Sequence, residues 1–600
     1  MASRPYSRRR PASSTRRRPA DQVRQGGPVA VAGDPKRRLA VLSALLLIAV
    51  FGLGARLVEL QIKQGPELAA AALSQQVTQL TISATRGLIL DDQGQVLAGN
   101  VPTYDIWADP NLIAKPQRLK DATELAPLLN LPANQLLTVL SKPLDFVYLA
   151  RAQTSAVEDH VAALNLAAVG AIQGETRSYG PGATPGTSLA ANVLGFVNAS
   201  GQGQYGLEGY YNKVLAGTPG TQSVATDLLG NPVVLGSAPQ KPAVDGRNLQ
   251  TSLDANIQAV VEKDLAAEVQ KVNGSSGTMI VMNVHTGGIV AWADYPSYNA
   301  NNYATTPVSA FTDAGVASLY EPGSVGKVLT FAGALNRNVI TPNETFDETG
   351  EVTVQGWQIR DWDLRAHGVI TMNWVLEDSL NVGAVHIQQW EGAQPFYNNM
   401  KAFGIGVPTG IDLAGASNQA LPPLSQLQPI QLATASFGQG YVTTPIQMLS
   451  AVNAVANGGV WVQPHVVTAI TGGGKPTTYV KPSTHRVISA ATAQTLTKMM
   501  VGVVDVPGAS GYAAKIWPQW KGEIAGKTGT SSVAAAQGGY GNNTIDSFVE
   551  FFPATNPQYS MLCIIRDPQV PPAQREGAYD AAPTSKLVTE ALIARFKLQP

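Results

Sequence analysis

Three short groups of residues in this 600-residue chain have the types and spacing for acyl-transfer chemistry. The first is Ser324-Val-Gly-Lys327, within YEPGSVGKVLTFAGAL, the one S-x-x-K in the sequence. Pro322 and Gly323 precede it and an apolar helical pattern follows. That places Ser324 at the first turn of a helix, where free backbone N–H groups favour developing negative charge. Lys327, three residues on, shares its face. A desolvated lysine beside a second lysine titrates low enough to take a serine proton. The second group is Ser379-Leu-Asn381, in WVLEDSLNVGAVHIQQW. The third is Lys527-Thr528-Gly529-Thr530, in GEIAGKTGTSSV. Gly529 permits close backbone approach, an edge strand here can pair with an extended peptide, and a lysine with two hydroxyls suits a carboxylate.

Each group alone has an ordinary explanation. A serine before a helix is usually a cap, and Ser-x-Asn or Lys-Thr-Gly usually marks a turn. Ser297-Tyr-Asn299 and His285-Thr-Gly287 are look-alikes, but both precede Ser324 and break the order. The ordered set within one domain-sized window carries the information.

The rest of the chain must position that set. Net charge is zero, with 42 basic and 42 acidic residues, but residues 1–38 hold eleven Lys/Arg against two Asp/Glu. This +9 tail, rich in Pro, Ser and Gly, reads as disordered. Residues 39–57 read as a membrane-spanning anchor: Leu39 to Ala55 carries no charge, and Leu57 extends the span past a snorkelling Arg56. The basic flank orients the N-terminus to the cytoplasm and everything after the span to the exterior. A cleaved signal peptide is the competing reading, against which the apolar core is too long. The tail serves topology and anionic lipid rather than nucleic acid. One cysteine, Cys563, excludes a disulfide framework, and six unpaired histidines argue against a metal site.

Residues 58–245 show short strand-like runs broken by Gly and Pro, including a hairpin at Arg86–Ala98, with helices over 116–170 and a short helix in Gly206–Gly220. From about 246, an amphipathic helix (Ser252–Val272) precedes two adjacent strands joined at His285–Gly288. Helices dominate 325–460, strand-like runs return at 460–490 and 523–570, and a final helix covers about 586–596. The pattern predicts an α+β domain with a mainly antiparallel sheet packed between helices.

The three groups are the signature of penicillin-binding proteins and class A β-lactamases, and the wider chain resembles a class B penicillin-binding protein over residues 40–600. Further matching text includes Arg86-Gly87-x-Ile89-x-Asp91, Gly206-Leu207-Glu208 with Asn212, Ser252-Leu253-Asp254, Phe403-Gly404-Ile405-Gly406 and ATASFGQGYVTTPIQM (Ala433–Met448). LAANVLGFV points to the division-associated branch. Asp92 stands where the family often has Arg.

The resemblance implies an anchor, a pedestal (dimerisation) domain at 58–245 and a transpeptidase domain at 246–600. It implies a serine acyl-enzyme on peptidoglycan stem peptides, with Ser324 as nucleophile and Lys327 as its base. Ser379 relays a proton and Asn381 holds the substrate amide. Lys527, Thr528, Gly529 and Thr530 receive the terminal carboxylate, and the N–H groups of Ser324 and Thr530 form an oxyanion hole. β-Lactams acylate the same serine, and no cofactor or metal is required. The plasma membrane, a membrane glycosyltransferase and divisome proteins are the implied partners. An elongation-type enzyme, a D,D-carboxypeptidase or β-lactamase, a non-catalytic β-lactam receptor and a divisome scaffold remain as alternatives.

Overall fold

The computed structural model describes residues 35–65, 67, 77–226, 232–233, 240–417, 419–534 and 540–600. The chain divides into two compact units, residues 1–80 with 223–239, and residues 81–222 with 240–600. In the first unit, a helix spans Pro35–Val58 and continues into a π-helical turn at Glu59–Lys63. From Lys36 onward its side chains are exposed, and its length and composition suffice to cross a membrane. The helix takes in Lys36, Arg37 and Arg38, which the sequence pattern assigned to the tail; residues 1–34 of that tail lie outside the described residues.

The second unit contains a five-stranded, wholly antiparallel sheet in the order Ile289–Tyr295, Ser276–Asn283, Tyr559–Arg566, Tyr540–Phe552, Ala525–Ala534. Alternate residues of a strand face opposite sides, so its centre must be apolar on both. Met561, Cys563 and Ile565 of the middle strand pack on one side with Val261, Leu265 and Val269 of the helix Ala255–Lys271 and with Val588 and Leu592 of the helix Ala581–Phe596. Leu562 and Ile564 pack on the other side with Met448 and Val452 of the helix Pro445–Ala456. This two-sided burial is why Tyr559–Arg566 reads as a continuous apolar run. Cys563 is fully buried, and burial pushes its thiol far above the ordinary value. The helix Ala255–Lys271 is capped by Asp254, whose Oδ1 accepts from the N–H groups of Asn256 and Ile257, while Oδ2 pairs with Arg595 at 2.8 Å.

A second, seven-stranded sheet draws on both halves of the chain. It joins Ile89–Leu90, Val96–Ala108, Val147–Gln153 and Val169–Tyr179 to Asn248–Thr251, Val467–Thr471 and Thr478–Tyr479. The strand-like runs at 467–479 therefore pair within this sheet rather than with the five-stranded one. The run at 147–153, expected within the helical stretch 116–170, is a strand, and like Val169–Tyr179 it pairs with the long strand Val96–Ala108. Local pattern does not encode that partner.

The pedestal text of the sequence converges on one carboxylate. Glu208, fully buried, accepts from Arg86 Nε at 2.8 Å, Arg177 Nε at 2.7 Å and Tyr179 Oη at 3.3 Å. Arg86 also donates to Asn212 Oδ1 at 3.0 Å, and Arg177 Nη1 donates to the Gly87 carbonyl at 2.8 Å. A Cβ at Gly87 would meet the Arg247 carbonyl oxygen at 1.9 Å, so this position is glycine for close approach. Asp92, by contrast, is exposed and takes no part. Removing one member of a buried ion cluster leaves uncompensated charge, at a cost of about 3–5 kcal/mol. Glu208→Ala should lower the unfolding free energy of the exterior part by about that amount in denaturant titration; a change under about 1 kcal/mol would count against the cluster as a structural clamp.

Candidate active site

Ser324 sits in a 3₁₀ turn, Gly323–Gly326, that runs directly into the helix Lys327–Asn336. The turn therefore precedes the α-helix rather than forming its first turn. Ser379 lies between two helices, Met372–Glu377 and Asn381–Glu391, in the left-handed region at φ +59°. Asn381 opens the second of these helices. Lys527 to Thr530 lie on the edge strand of the catalytic sheet, paired on one side only, with Val549 to Asp546 of its neighbour. Elements some 50 and 200 residues apart thus bring Ser324, Lys327, Ser379, Asn381 and Lys527 together.

Both lysines are fully buried. Lys327 Nζ lies 2.9 Å from Ser324 Oγ, 2.8 Å from Asn381 Oδ1 and 3.3 Å from Ser379 Oγ, and it also contacts the Ser379 carbonyl. Lys527 Nζ donates to Ser379 Oγ at 2.8 Å, to the Thr528 carbonyl at 3.2 Å and to Thr528 Oγ1 at 3.3 Å. The two ammonium groups therefore meet at one hydroxyl.

Desolvation pushes Lys327 down to about 7, opposed by the carboxylate of Asp361. Lys527 is held well below its ordinary value by burial and then by Lys327. A neutral Lys327 has two N–H donors and one lone pair. The Ser379 and Asn381 carbonyl oxygens can accept only, so they take the two donors. The lone pair is left for the Ser324 hydroxyl proton.

Close backbone contacts lock the serine turn in place. Gly323 N donates to the Gly438 carbonyl at 3.0 Å, and Gly438 has φ +84°. A Cβ on Gly438 would sit 1.8 Å from the Gly323 oxygen, and one on Gly323 2.5 Å from the Thr530 oxygen. A Cβ on Gly529 would sit 2.8 Å from the Pro322 oxygen. The SFGQG segment, Ser436–Gly440, thus packs on one side of the serine turn and the Lys527–Thr530 strand on the other. Glu321 accepts from Gly440 N at 2.8 Å, and Thr330 Oγ1 donates to the Ser436 carbonyl at 2.7 Å.

One positioning residue escaped the motif reading. Asp361 is buried, and its Oδ1 accepts from Val382 N at 3.0 Å and from Asn381 N. It thereby caps the helix Asn381–Glu391, whose own N-cap residue, Leu380, has no capping side chain. Burial and the neighbouring Glu348 push Asp361 up to about 7. Its signal in the sequence, an Asp twenty residues before the helix it caps, follows no local rule. Asn381 Nδ2 donates to the Arg360 carbonyl at 3.1 Å, tying the same loop to the site. Among the described residues, no group of His, Cys, Asp and Glu is arranged to hold a metal ion.

The model of the penicillin-binding protein transpeptidase domain matches residues 277–590, and that of the penicillin-binding protein dimerisation domain matches residues 81–251. The chain belongs to the class B penicillin-binding proteins. Penicillin-binding protein PbpB of Mycolicibacterium smegmatis is 31% identical over 602 residues, covering 93% of this chain and 90% of the relative. Peptidoglycan D,D-transpeptidase FtsI of Escherichia coli is 29% identical over 571 residues, covering 94% and 92%. Among solved structures, penicillin-binding protein 3 of Mycobacterium tuberculosis complexed with aztreonam superposes with a TM-score of 0.67 at 25% identity, covering 87% of this chain and 98% of that one. This penicillin-binding protein is a serine-type D,D-transpeptidase of cell wall synthesis that takes peptidoglycan substrates and β-lactams.

Two outcomes follow from the geometry. With a buried base near 7, the second-order rate of acylation by benzylpenicillin should fall tenfold per pH unit below about pH 6, as Lys327 becomes charged. A profile flat to pH 5 would exclude Lys327 as the base. Gly438→Ala should cut the acylation rate by about a hundredfold while leaving thermal unfolding cooperative, because the new methyl displaces the serine turn; near-normal acylation would show that the turn accommodates it.

Proposed function

We propose that Ser324 is the nucleophile and Lys327 its general base. The observation that carries this reading is the 2.9 Å approach of Lys327 Nζ to Ser324 Oγ, with the two carbonyl oxygens occupying the amine's donors. Ser324 Oγ bonds to the carbonyl carbon of the penultimate D-Ala of a stem peptide. The amide bond to the terminal D-Ala breaks, and that residue leaves with a proton delivered along Lys327 and Ser379. An amine of a second stem then attacks the ester, forms the cross-link and returns the proton to Ser324 Oγ.

The N–H groups of Ser324 and Thr530 stabilise the oxyanion. Asn381 orients the substrate amide. Lys527, Thr528 and Thr530 receive the terminal carboxylate, with Gly529 letting the strand approach the serine turn; the incoming carboxylate favours the charged form of Lys527.

The proposed division is a cytoplasmic tail at 1–38, an anchor at 39–57, a pedestal at 58–245 and the transpeptidase at 246–600. The basic flank supports an N-terminus in the cytoplasm and a catalytic domain outside it. Likeness to FtsI supports action at the septum, beside a membrane glycosyltransferase and other division proteins. Labelled penicillin should attach to the full chain, and the Ser324→Ala variant should take no label. Persistent label in the variant, mapped by peptide analysis, would move the nucleophile elsewhere. Rapid loss of label from the unaltered chain would favour the β-lactamase alternative.

A further inference from the structure

The surface beside the Ser379 box carries indoles whose polar ends are satisfied and whose faces are open. Trp362 Nε1 donates to the Asp378 carbonyl at 2.9 Å, and Trp374 Nε1 donates to the Asp378 carboxylate. Asp378 immediately precedes Ser379, so both rings are tethered one residue from the catalytic hydroxyl. Trp362 is nevertheless 61% exposed and Trp374 40% exposed. Indoles are among the side chains least suited to contact with water over so large an area, and exposed aromatic patches mark binding surfaces. With each N–H already engaged, what they offer a ligand is a flat apolar face. Polar groups flank that face: Asp363 and His367, paired at 3.1 Å, and Arg360, paired with Glu351 at 3.1 Å. The His367 ring lies 5.9 Å from that of Trp374.

We propose that Trp362 and Trp374 form a subsite for the amino sugar of the glycan strand that carries the stem peptide. This rests on the transpeptidase reading. A stem peptide seated at Ser324 is attached, several residues from the reacting D-Ala, to a sugar polymer that must lie outside the cleft, and the two indoles are exposed aromatic surface continuous with the Ser379 box. A pyranose presents axial C–H bonds on a flat apolar face and hydroxyl and acetamido groups at its rim. An open indole beside charged rim groups matches that chemistry. A bare peptide, with no such ring, has less to gain from two tethered indole faces. The pair is thus a specificity-determining feature that favours glycan-linked stems over free ones.

The test uses the full chain with three probes: a disaccharide pentapeptide, the same pentapeptide without sugar, and benzylpenicillin. Trp362→Ala should lower kcat/KM for the disaccharide pentapeptide about tenfold, mainly through KM. Rates with the free pentapeptide and with benzylpenicillin should stay within about twofold. Trp362→Phe, which keeps a flat face and loses the N–H, should restore at least half of the preference. An equal fall with all three probes would show that Trp362 merely supports Ser379, and unchanged rates with all three would assign the patch to a protein partner instead; either result overturns the subsite. Failure of benzylpenicillin to acylate the unaltered chain at Ser324 would overturn the transpeptidase reading itself, a different outcome.

Discussion

The site depends on keeping two lysine side chains out of water within reach of one hydroxyl. An ammonium group moved from water into a protein interior loses far more hydration than any single hydrogen bond returns. Lys327 and Lys527 are each fully buried, and Ser379 Oγ lies within 3.3 Å of one and 2.8 Å of the other. Burial favours the neutral amine at Lys327, burial and then Lys327 lower Lys527, and a neutral amine at Lys327 is what a serine hydroxyl needs beside it. Much of the surrounding structure resists the tendency of such groups to escape to solvent. The serine helix is buried along almost its whole length, and the edge strand is backed by a four-strand remainder of the sheet.

Close packing around that pair explains the glycines. Gly323, Gly438 and Gly529 lie where the serine turn, the SFGQG segment and the edge strand approach one another backbone to backbone. A methyl group at Gly438 or Gly323 would fall inside van der Waals contact of a carbonyl oxygen, and both positions have left-handed φ. The turn is held by backbone sterics, by the Gly323–Gly438 hydrogen bond and by Glu321 accepting from Gly440 N. Asp361 performs the corresponding task for the Ser379 box, holding the start of the helix Asn381–Glu391 through the N–H groups of Asn381 and Val382.

The pedestal uses the same physics for a structural end. Arg86 and, from the strand Val169–Tyr179, Arg177 and Tyr179 converge on Glu208, and Asn212 accepts from Arg86. Sequence inspection marked Arg86, Glu208 and Asn212 as family text without showing why they belong together. The reason is a buried carboxylate that needs two guanidinium partners at once, and only the folded chain brings them within 3 Å.

Local chemistry made much of this protein legible before any coordinates. The S-x-x-K spacing follows from one helical turn, here the 3₁₀ turn Gly323–Gly326 that runs into Lys327. The antiparallel pair around His285–Gly288 follows from its turn, and the anchor from an uncharged apolar run behind basic residues. Tertiary structure alone decided the rest. The strands at 147–153 and 169–179 depend on a partner, Val96–Ala108, that neither segment's own pattern names. The strands at 467–479 join the seven-stranded sheet because Asn248–Thr251 offers them an edge. Asp361 caps a helix twenty residues away, and the indoles of Trp362 and Trp374 meet at Asp378 only after the chain has turned back on itself. Spacing along a chain encodes contacts within a turn or a hairpin. Contacts between distant segments are set by which surfaces must be buried together, and that is a property of the whole fold.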